Sequence, residues 1–158
     1  MPTKKKDNLK RIRLEFFKLT GILLRHPTNR VRDRFLRKDK VFDALARRLF
    51  DNPDLLPLLM KKQKQWLKLD QSELTFCLSG YLYYCGEDFP EAERYFLKAV
   101  NKNAQNLDNW FDLAFSLYHQ EKEKQELAIK IFFNFDKVAF LFSGKKITLE
   151  SLAKMSHA

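Results

Sequence analysis

Apolar residues recur at spacings of three and four along most of the chain, which places their side chains on one face of an α-helix. Glycine and proline are scarce, with 4 and 5 residues among 158, whereas leucine, phenylalanine, lysine and alanine are plentiful. This balance favours helices over a turn-rich sheet protein. We therefore predict an all-α fold, built as one domain with an N-terminal appendage.

The first predicted helix spans residues 8–25, and its apolar stripe begins at Leu9 and ends near Leu23. The charged leader 1–7 has nothing to bury and is expected to be disordered. Pro27 ends the helix because proline lacks an N–H donor and disfavours helical geometry in the residue before it. The stripe is either a docking face for the rest of the chain or a face that lies on an anionic membrane.

Two further amphipathic segments occupy residues 38–69. The first includes Phe50 on its apolar face. Asn52 is predicted to cap the second helix, which spans 53–69. Pro53 fits the first position of that helix, where the backbone needs no N–H donor.

A related pattern begins at residue 73 and starts again 34 residues later. At this offset Phe76 corresponds to Trp110, and Gly80 corresponds to Ala114. The small residue lets two helix backbones approach, and the large residue fills the space beside them. A helix-turn-helix unit of 34 residues is the spacing of tetratricopeptide repeats.

These positions resemble the tetratricopeptide repeat (TPR) family. The residues that match its packing pattern are Phe76, Gly80, Tyr83, Ala92, Phe96, Ala99, Trp110, Ala114 and Ala128. The unit 73–106 is well formed, whereas 107–138 is degenerate because Phe135 stands where the family has a small residue. The resemblance implies a short right-handed array of helical hairpins with an additional N-terminal amphipathic helix.

The array implies a division of the chain. Residues 1–37 would form a basic N-terminal arm that contains the first helix, and 38–158 would form the helical domain. About three repeats are needed for stability, so 38–69 is expected to be a divergent helix pair or a cap. Residues 147–156 are expected to form a C-terminal capping helix that Thr148 starts.

The formal net charge of +10 lies entirely within residues 1–40, which hold 14 Lys or Arg and 4 Asp or Glu. The other 118 residues carry 16 of each sign. The candidate basic surface consists of Arg30, Arg32, Arg34 and Arg37. This stretch is either a solvated linker or a strip that contacts an anionic partner, such as nucleic acid or a membrane surface.

The resemblance also implies a groove lined by the first helix of each repeat. Its predicted residues are Cys77, Leu78, Tyr81, Tyr84, Cys85, Phe111, Asp112, Phe115, Tyr118 and His119. Some family members hold a C-terminal carboxylate with Lys, Arg and Asn at such positions, and this chain has none of them there. We therefore expect an apolar or amphipathic peptide as ligand, unless the chain's own first helix fills the groove.

Residues with catalytic or ligand chemistry form no constellation in the sequence. The three histidines, His26, His119 and His157, fall in different predicted elements, without metal-ligand spacing. Asp108 and Asp112 lie one helical turn apart, but nothing beside them indicates a shifted pKa. We expect no enzyme activity, no metal and no cofactor.

The two cysteines, Cys77 and Cys85, lie on one predicted helix. A rise of about 1.5 Å per residue separates them by about 12 Å, too far for a disulfide. The sequence contains no run of 18 apolar residues, and its basic start lacks the apolar core of a secretory signal. Reduced thiols and a cytoplasmic location are the expectation.

The leading hypothesis is a non-enzymatic interaction module, an adaptor or scaffold that binds a protein or peptide segment in an aromatic groove. One alternative is a small TPR chaperone, because the size and N-terminal helical extension resemble the translocator chaperones of bacterial type III secretion. Another is attachment to nucleic acid or an anionic membrane through the basic arm.

Overall fold

The computed structural model describes residues 2–21, 43–142 and 144–155, and these ranges contain helices and turns without any strand. The all-α prediction is therefore confirmed. The helices are α1 (Pro2–Thr20), α2 (described over 43–51), α3 (Leu55–Leu69), α4 (Glu73–Cys85), α5 (Phe89–Lys102), α6 (Leu107–Tyr118), α7 (Lys122–Phe133), α8 (Phe135–Leu141) and α9 (Leu149–Ala153). The chain forms an N-terminal unit, Met1–Leu82, and a C-terminal unit, Tyr83–Ala158, so α4 contributes to both.

The first helix differs from its predicted bounds at both ends. It begins at Pro2, so the leader expected to be disordered is helical. It ends at Thr20 because Gly21 adopts a left-handed φ of 74° and donates its N–H to the carbonyl of Phe17 at 2.7 Å. The last predicted residues, 22–25, lie outside the described part of the chain.

The apolar stripe of α1 packs against α3 in the N-terminal unit. Ile12 and Phe16 are buried, and the Phe16 ring meets the buried Trp66 edge-on with 6.2 Å between centroids. An ion pair of 2.7 Å joins Lys62 on α3 to Glu15 on α1. The stripe is thus a docking face for the rest of the chain, as one of its two interpretations predicted.

The end of α2 and its connection to α3 correct three predictions, namely the cap at Asn52, the helix start at Pro53 and the apolar contact of Phe50. The helix α3 begins at Leu55, and Asp54 rather than Asn52 holds the N-cap position, without a side-chain capping bond. The carbonyl of Asn52 accepts the N–H of Leu55 at 3.1 Å, and its own N–H donates to the carbonyl of Arg48 at 2.9 Å. Phe50, predicted on an apolar face, is 87% exposed.

A buried polar contact joins α3 to α4. Gln63 is buried, and its Nε2 donates to the carbonyl of Thr75 at 3.0 Å and to the Ser79 hydroxyl at 2.5 Å. Nearby, the Asp70 carboxylate accepts hydrogen bonds from Trp66 Nε1 and the Thr75 hydroxyl. Buried polar atoms need such partners, so these contacts fix how α3 meets α4.

The turn after α4 closes the helix with two backbone hydrogen bonds. Glu87 donates to the carbonyl of Tyr84 at 3.0 Å, and Asp88 donates to that of Tyr83 at 2.9 Å. This arrangement requires a left-handed residue, and Glu87 adopts it with a φ of 61°. Asp88 then caps α5 by accepting the backbone N–H of Glu91.

In the C-terminal unit, consecutive helices pack on one another, with α6 against α5, α7 and α8. The packing residues that carry the family resemblance are buried in both units, apart from the half-buried Tyr83: Phe76 and Gly80 in the N-terminal unit, and Ala92, Phe96, Ala99, Trp110, Ala114 and Ala128 in the C-terminal unit. The Trp110 indole also donates to the carbonyl of Ala104 at 2.7 Å. Small residues at these positions allow the helices to approach closely.

A break at Asn134 separates α7 from α8, where the sequence analysis predicted one helix to about residue 138. Asn134 is buried, and its side chain donates to the carbonyl of Lys130 at 2.8 Å. The side chain thus competes with the helical backbone for an acceptor. Phe135 therefore begins α8 rather than continuing α7.

The last helix, α9, begins as predicted after Thr148. The Thr148 side chain accepts from the Ser151 backbone, and the Ser151 hydroxyl accepts from the Thr148 backbone, which forms a reciprocal cap. The helix is shorter than the predicted 147–156. Asn101 on α5 holds the preceding segment, because its side chain bonds to both the N–H and the carbonyl of Ile147 at 2.8 and 2.9 Å.

Candidate functional site

Helix α6 has one buried side and one exposed side. Trp110, Leu113 and Leu117 are completely buried, whereas Phe111 and Phe115 are 42% and 36% exposed. Side chains three, four and seven positions apart lie on the same side of a helix. Trp110, Leu113 and Leu117 therefore share one side of α6, and Phe111 and Phe115 share another. Large apolar side chains on an exposed side mark a candidate interaction surface.

Several rings from neighbouring segments contact the exposed side of α6. We call this group the aromatic face, and its members are Tyr84, Phe89, Phe111, Phe115, Tyr118, His119, Phe132 and Phe135. All of them belong to the C-terminal unit.

The first half of the aromatic face joins α6 to α7 and α8. The Phe111 and Phe115 rings lie 4.7 Å apart, and both meet Phe132 edge-on at 5.8 and 5.6 Å. Phe111 also meets Phe135 at 5.6 Å. Edge-to-face contacts at these distances are favourable and hold the rings in place.

The second half is built around His119 at the end of α6. Its ring stacks on Phe89 with 4.6 Å between centroids, and its Nε2 shares a hydrogen bond of 3.0 Å with the Tyr84 hydroxyl. Tyr118 contacts His119 from the side and is 49% exposed. Burial raises the pKa of the Tyr84 hydroxyl, and electrostatic interactions with Cys85 and Asp112 raise it further.

The predicted groove residues divide between the two units. Cys77, Leu78 and Tyr81 lie in the N-terminal unit, and the other seven lie in the C-terminal unit. Cys77 and Leu78 are buried, as are all residues over 75–80. The groove prediction required one side of α4 to be exposed to solvent. A helix with apolar residues on all sides is instead buried on all sides.

Most of the predicted residues in the C-terminal unit do reach the surface. Phe111, Phe115, Tyr118 and His119 are exposed; Tyr84, Cys85 and Asp112 are half-buried.

The sequence analysis missed Phe89, Phe132 and Phe135 as members of the aromatic face. The 34-residue pattern assigns roles to the first helix of each unit, and these residues lie at the start of α5, in α7 and in α8. The spacing of three between Phe132 and Phe135 predicts a shared side only within a continuous helix, and the break at Asn134 removes that signal.

The candidate basic surface, Arg30, Arg32, Arg34 and Arg37, lies outside the described residues. Its neighbour α1 presents exposed cations at Lys4, Lys5, Lys6, Lys10 and Arg11.

Within the ranges that the structure describes, no group of three His, Cys, Asp or Glu side chains could hold a metal ion. Cys77 is buried, Cys85 is half-buried, and the two are not joined by a disulfide, as their predicted separation requires. Across the same ranges, none of the helices combines the length and apolar character required to cross a bilayer.

Comparison with known proteins finds no matching family model, no matching curated protein and no matching solved structure. The tetratricopeptide resemblance therefore stays a prediction, and the case for a function depends on the geometry of the aromatic face.

Proposed function

We propose that this chain is a non-enzymatic, tetratricopeptide-like adaptor that binds an apolar or amphipathic peptide segment at the aromatic face. The observation that carries the proposal is the exposed side of α6, where Phe111, Phe115 and Tyr118 keep a third to a half of their surface in contact with solvent. Aromatic side chains dominate the contact energy of many protein interfaces. Cys77 and Cys85 are not joined by a disulfide, which is consistent with the cytoplasmic location that the proposal includes.

The ring contacts within the face favour binding in a second way. Phe111 and Phe115 are already held by each other and by Phe132, so a ligand would order few additional side chains. Ordering a flexible side chain at an interface costs about 0.5–1.5 kcal/mol. A preformed face therefore loses less binding free energy than a flexible one.

The proposal can be tested by selecting peptides from a displayed library against the full chain. The affinity of each selected peptide is then measured by fluorescence anisotropy for the wild type, Phe115→Ala and Phe140→Ala. Phe140 is the matched control because its ring is 86% exposed on α8. Phe115→Ala is expected to weaken binding at least about tenfold, as for a central aromatic anchor, and Phe140→Ala less than about twofold.

Circular dichroism and thermal melts establish that each variant is folded before its affinity is compared. Equal effects of the two substitutions, or a library that yields no peptide dependent on Phe115, would remove the proposal.

A second candidate function, binding of an anionic partner, is favoured by α1. This helix belongs to the basic N-terminal arm, residues 1–37, and exposes Lys4, Lys5, Lys6, Lys10 and Arg11. Such binding would weaken steeply with salt, because each neutralised phosphate releases counterions. Changing Arg30, Arg32, Arg34 and Arg37 together to Gln should reduce the slope of affinity against salt concentration, measured with a labelled oligonucleotide and with anionic vesicles. An unchanged slope for both probes would exclude a role for these arginines.

A further inference from the structure

Along the chain, the charges next to the α4–α5 turn and within α6 all have one sign, whereas the stretch that holds Phe132 and Phe135 also holds Lys130 and Lys137. Residues 69–93 and 103–121 contain all of α4 and α6, together with the α4–α5 turn, and hold no Lys or Arg. Seven acids of these stretches belong to the same unit as the aromatic face: Glu87, Asp88, Glu91, Glu93, Asp108, Asp112 and Glu121. Arg94 pairs with Glu91, and Lys124 pairs with Glu93. Elsewhere the protein is rich in cations, with 30 Lys or Arg among its 158 residues.

Some of these acids lie next to members of the aromatic face. On α6, Asp112 directly follows Phe111 and precedes Phe115 by three positions, so its Cα lies on the same side of the helix as Phe115. At the other half of the face, the exposed Glu87 and Asp88 immediately precede Phe89.

A through-space effect supports the same placement. After burial and the neighbouring Cys85, the charge of Asp112 contributes to raising the pKa of Tyr84, so the Asp112 carboxylate acts at the second half of the face. Asp112 thus borders the α6 side of the first half, and Glu87 and Asp88 border the second half.

We propose that the segment bound at the aromatic face is cationic and amphipathic, with Lys or Arg interleaved among large apolar side chains. The proposal rests on the function proposed above and adds the charge of the partner to it. Apolar side chains of the segment would cover Phe111, Phe115 and Tyr118, while its cations would lie against the acids at the rim. Complementary charge at an interface gives specificity and faster association more than it gives affinity.

An acidic or neutral segment would fit this surface less well. Its acids would be placed beside Asp112, Glu87 and Asp88, and like charges brought together at an interface oppose binding. The basic arm of the chain has the opposite preference, so the aromatic face and the arm would select different partners.

Two synthetic peptides test the charge directly. They carry the same Leu and Phe positions at helical spacing and differ only in having Lys or Glu at every polar position. Fluorescence anisotropy with the full chain should show about threefold to tenfold tighter binding of the Lys peptide at low salt, the size expected for one or two partly exposed charge pairs. The difference should shrink between 50 and 500 mM salt, because salt screens exposed charges.

Asp112→Asn is expected to reduce the preference for the Lys peptide without abolishing binding, whereas Phe115→Ala should weaken both peptides. The salt dependence of the wild-type preference needs no variant, so it remains decisive if Asp112→Asn fails to fold.

The outcomes separate the two proposals. Equal binding of both peptides, lost in Phe115→Ala, would overturn the charge preference and leave the aromatic face as a binding site; tighter binding of the Glu peptide with the same Phe115 dependence would do the same. Binding of either peptide that is insensitive to Phe115→Ala would overturn both proposals, and so would an absence of binding by both peptides and by the peptide library.

Discussion

Helices α4 and α6 hold corresponding places in the 34-residue pattern, yet their outer sides differ. Cys77 is buried where its counterpart Phe111 is exposed, and Tyr81 is half-buried where Phe115 is exposed. Over residues 75–80, α4 has no exposed side at all. The pattern therefore constrains the positions that pack one helix against another, whereas the exposure of the remaining positions depends on local neighbours.

The neighbours of the two helices explain part of this difference. In the N-terminal unit, α4 receives a polar contact from α3, because Gln63 bonds to Thr75 and Ser79. In the C-terminal unit, α6 packs against three helices and still presents Phe111 and Phe115 to solvent. Two helices with related sequences can thus serve as an enclosed core element and as a candidate binding surface.

The largest expected effect is a difference in the free energy of unfolding between a substitution on the buried side of α4 and one on the exposed side of α6. Leu78→Ala should lower the free energy of unfolding by about 2–5 kcal/mol, since it leaves a cavity around a fully buried position. Phe115→Ala should cost only about 1 kcal/mol, because a partly exposed ring loses contacts without leaving an enclosed cavity.

Urea unfolding followed by circular dichroism measures both changes. If Phe115→Ala destabilised the chain as much as Leu78→Ala, the aromatic face would be part of the core.

The second effect concerns buried serines on the same two helices. Ser79 on α4 accepts a hydrogen bond from Gln63 of another helix, whereas Ser116 on α6 donates to the carbonyl of Leu113 in its own helix. Ser79→Ala should therefore cost about 1–2 kcal/mol by removing a buried acceptor, and Ser116→Ala less than about 0.5 kcal/mol. Urea midpoints of the two variants provide the comparison, and equal midpoints would contradict an interhelical role for Ser79.

The third effect concerns the ends of the two helices. Glu87, after α4, adopts a positive φ, whereas His119, after α6, has a φ of −84°. Glu87→Gly should raise the free energy of unfolding by about 0.5–1 kcal/mol, because glycine adopts the left-handed conformation without a Cβ clash. Glu87→Ala is the control for the loss of the carboxylate. A gain of equal size in Glu87→Ala would assign the effect to charge instead of backbone conformation.

The smallest expected effect depends on pH and concerns the α1–α3 pair beside α4 in the N-terminal unit. The hydrogen bond from Lys62 lowers the pKa of Glu15 below its ordinary value of 4.5. A lowered folded-state pKa means that the stabilisation is present above about pH 4.5 and is lost as the pH falls through the folded value. Because both side chains are partly exposed, the contribution should stay below about 1 kcal/mol.

Lys62→Met should remove this pH-dependent contribution while keeping most of the apolar stem, and urea unfolding between pH 3 and pH 7 would measure it. If Lys62→Met showed the same change in the free energy of unfolding between pH 3 and pH 7 as the wild type, other groups would be responsible for the acid sensitivity.

Local signals along the sequence predicted the helical fold and several of its details. The turn between α4 and α5 and the cap at Thr148 are formed by residues that are close in sequence, so both could be predicted from the sequence alone. The buried stripe of α1 was equally visible, because helical spacing sorts apolar side chains onto one face.

Contacts between distant residues produced the differences from prediction. The enclosure of α4 involves a hydrogen bond from Gln63, a residue type that sequence patterns place on the surface. The exposure of Phe50 shows the reverse, since helical spacing alone does not determine which apolar residue meets a neighbour. Gly21 was different, because it lies inside the predicted stripe; its positive φ ends the helix there, before Pro27, which was predicted to end it.

The break at Asn134 has a consequence for the shape of the aromatic face. Successive residues of an uninterrupted helix are rotated by about 100°, so a continuous α7 would have dictated the direction in which Phe135 points. The break gives α8 its own rotation, and Phe135 meets Phe111. The orientation of α8 relative to α7 is thus set at Asn134. Inserting or deleting a residue there would change the width of the aromatic face while all of its rings are kept.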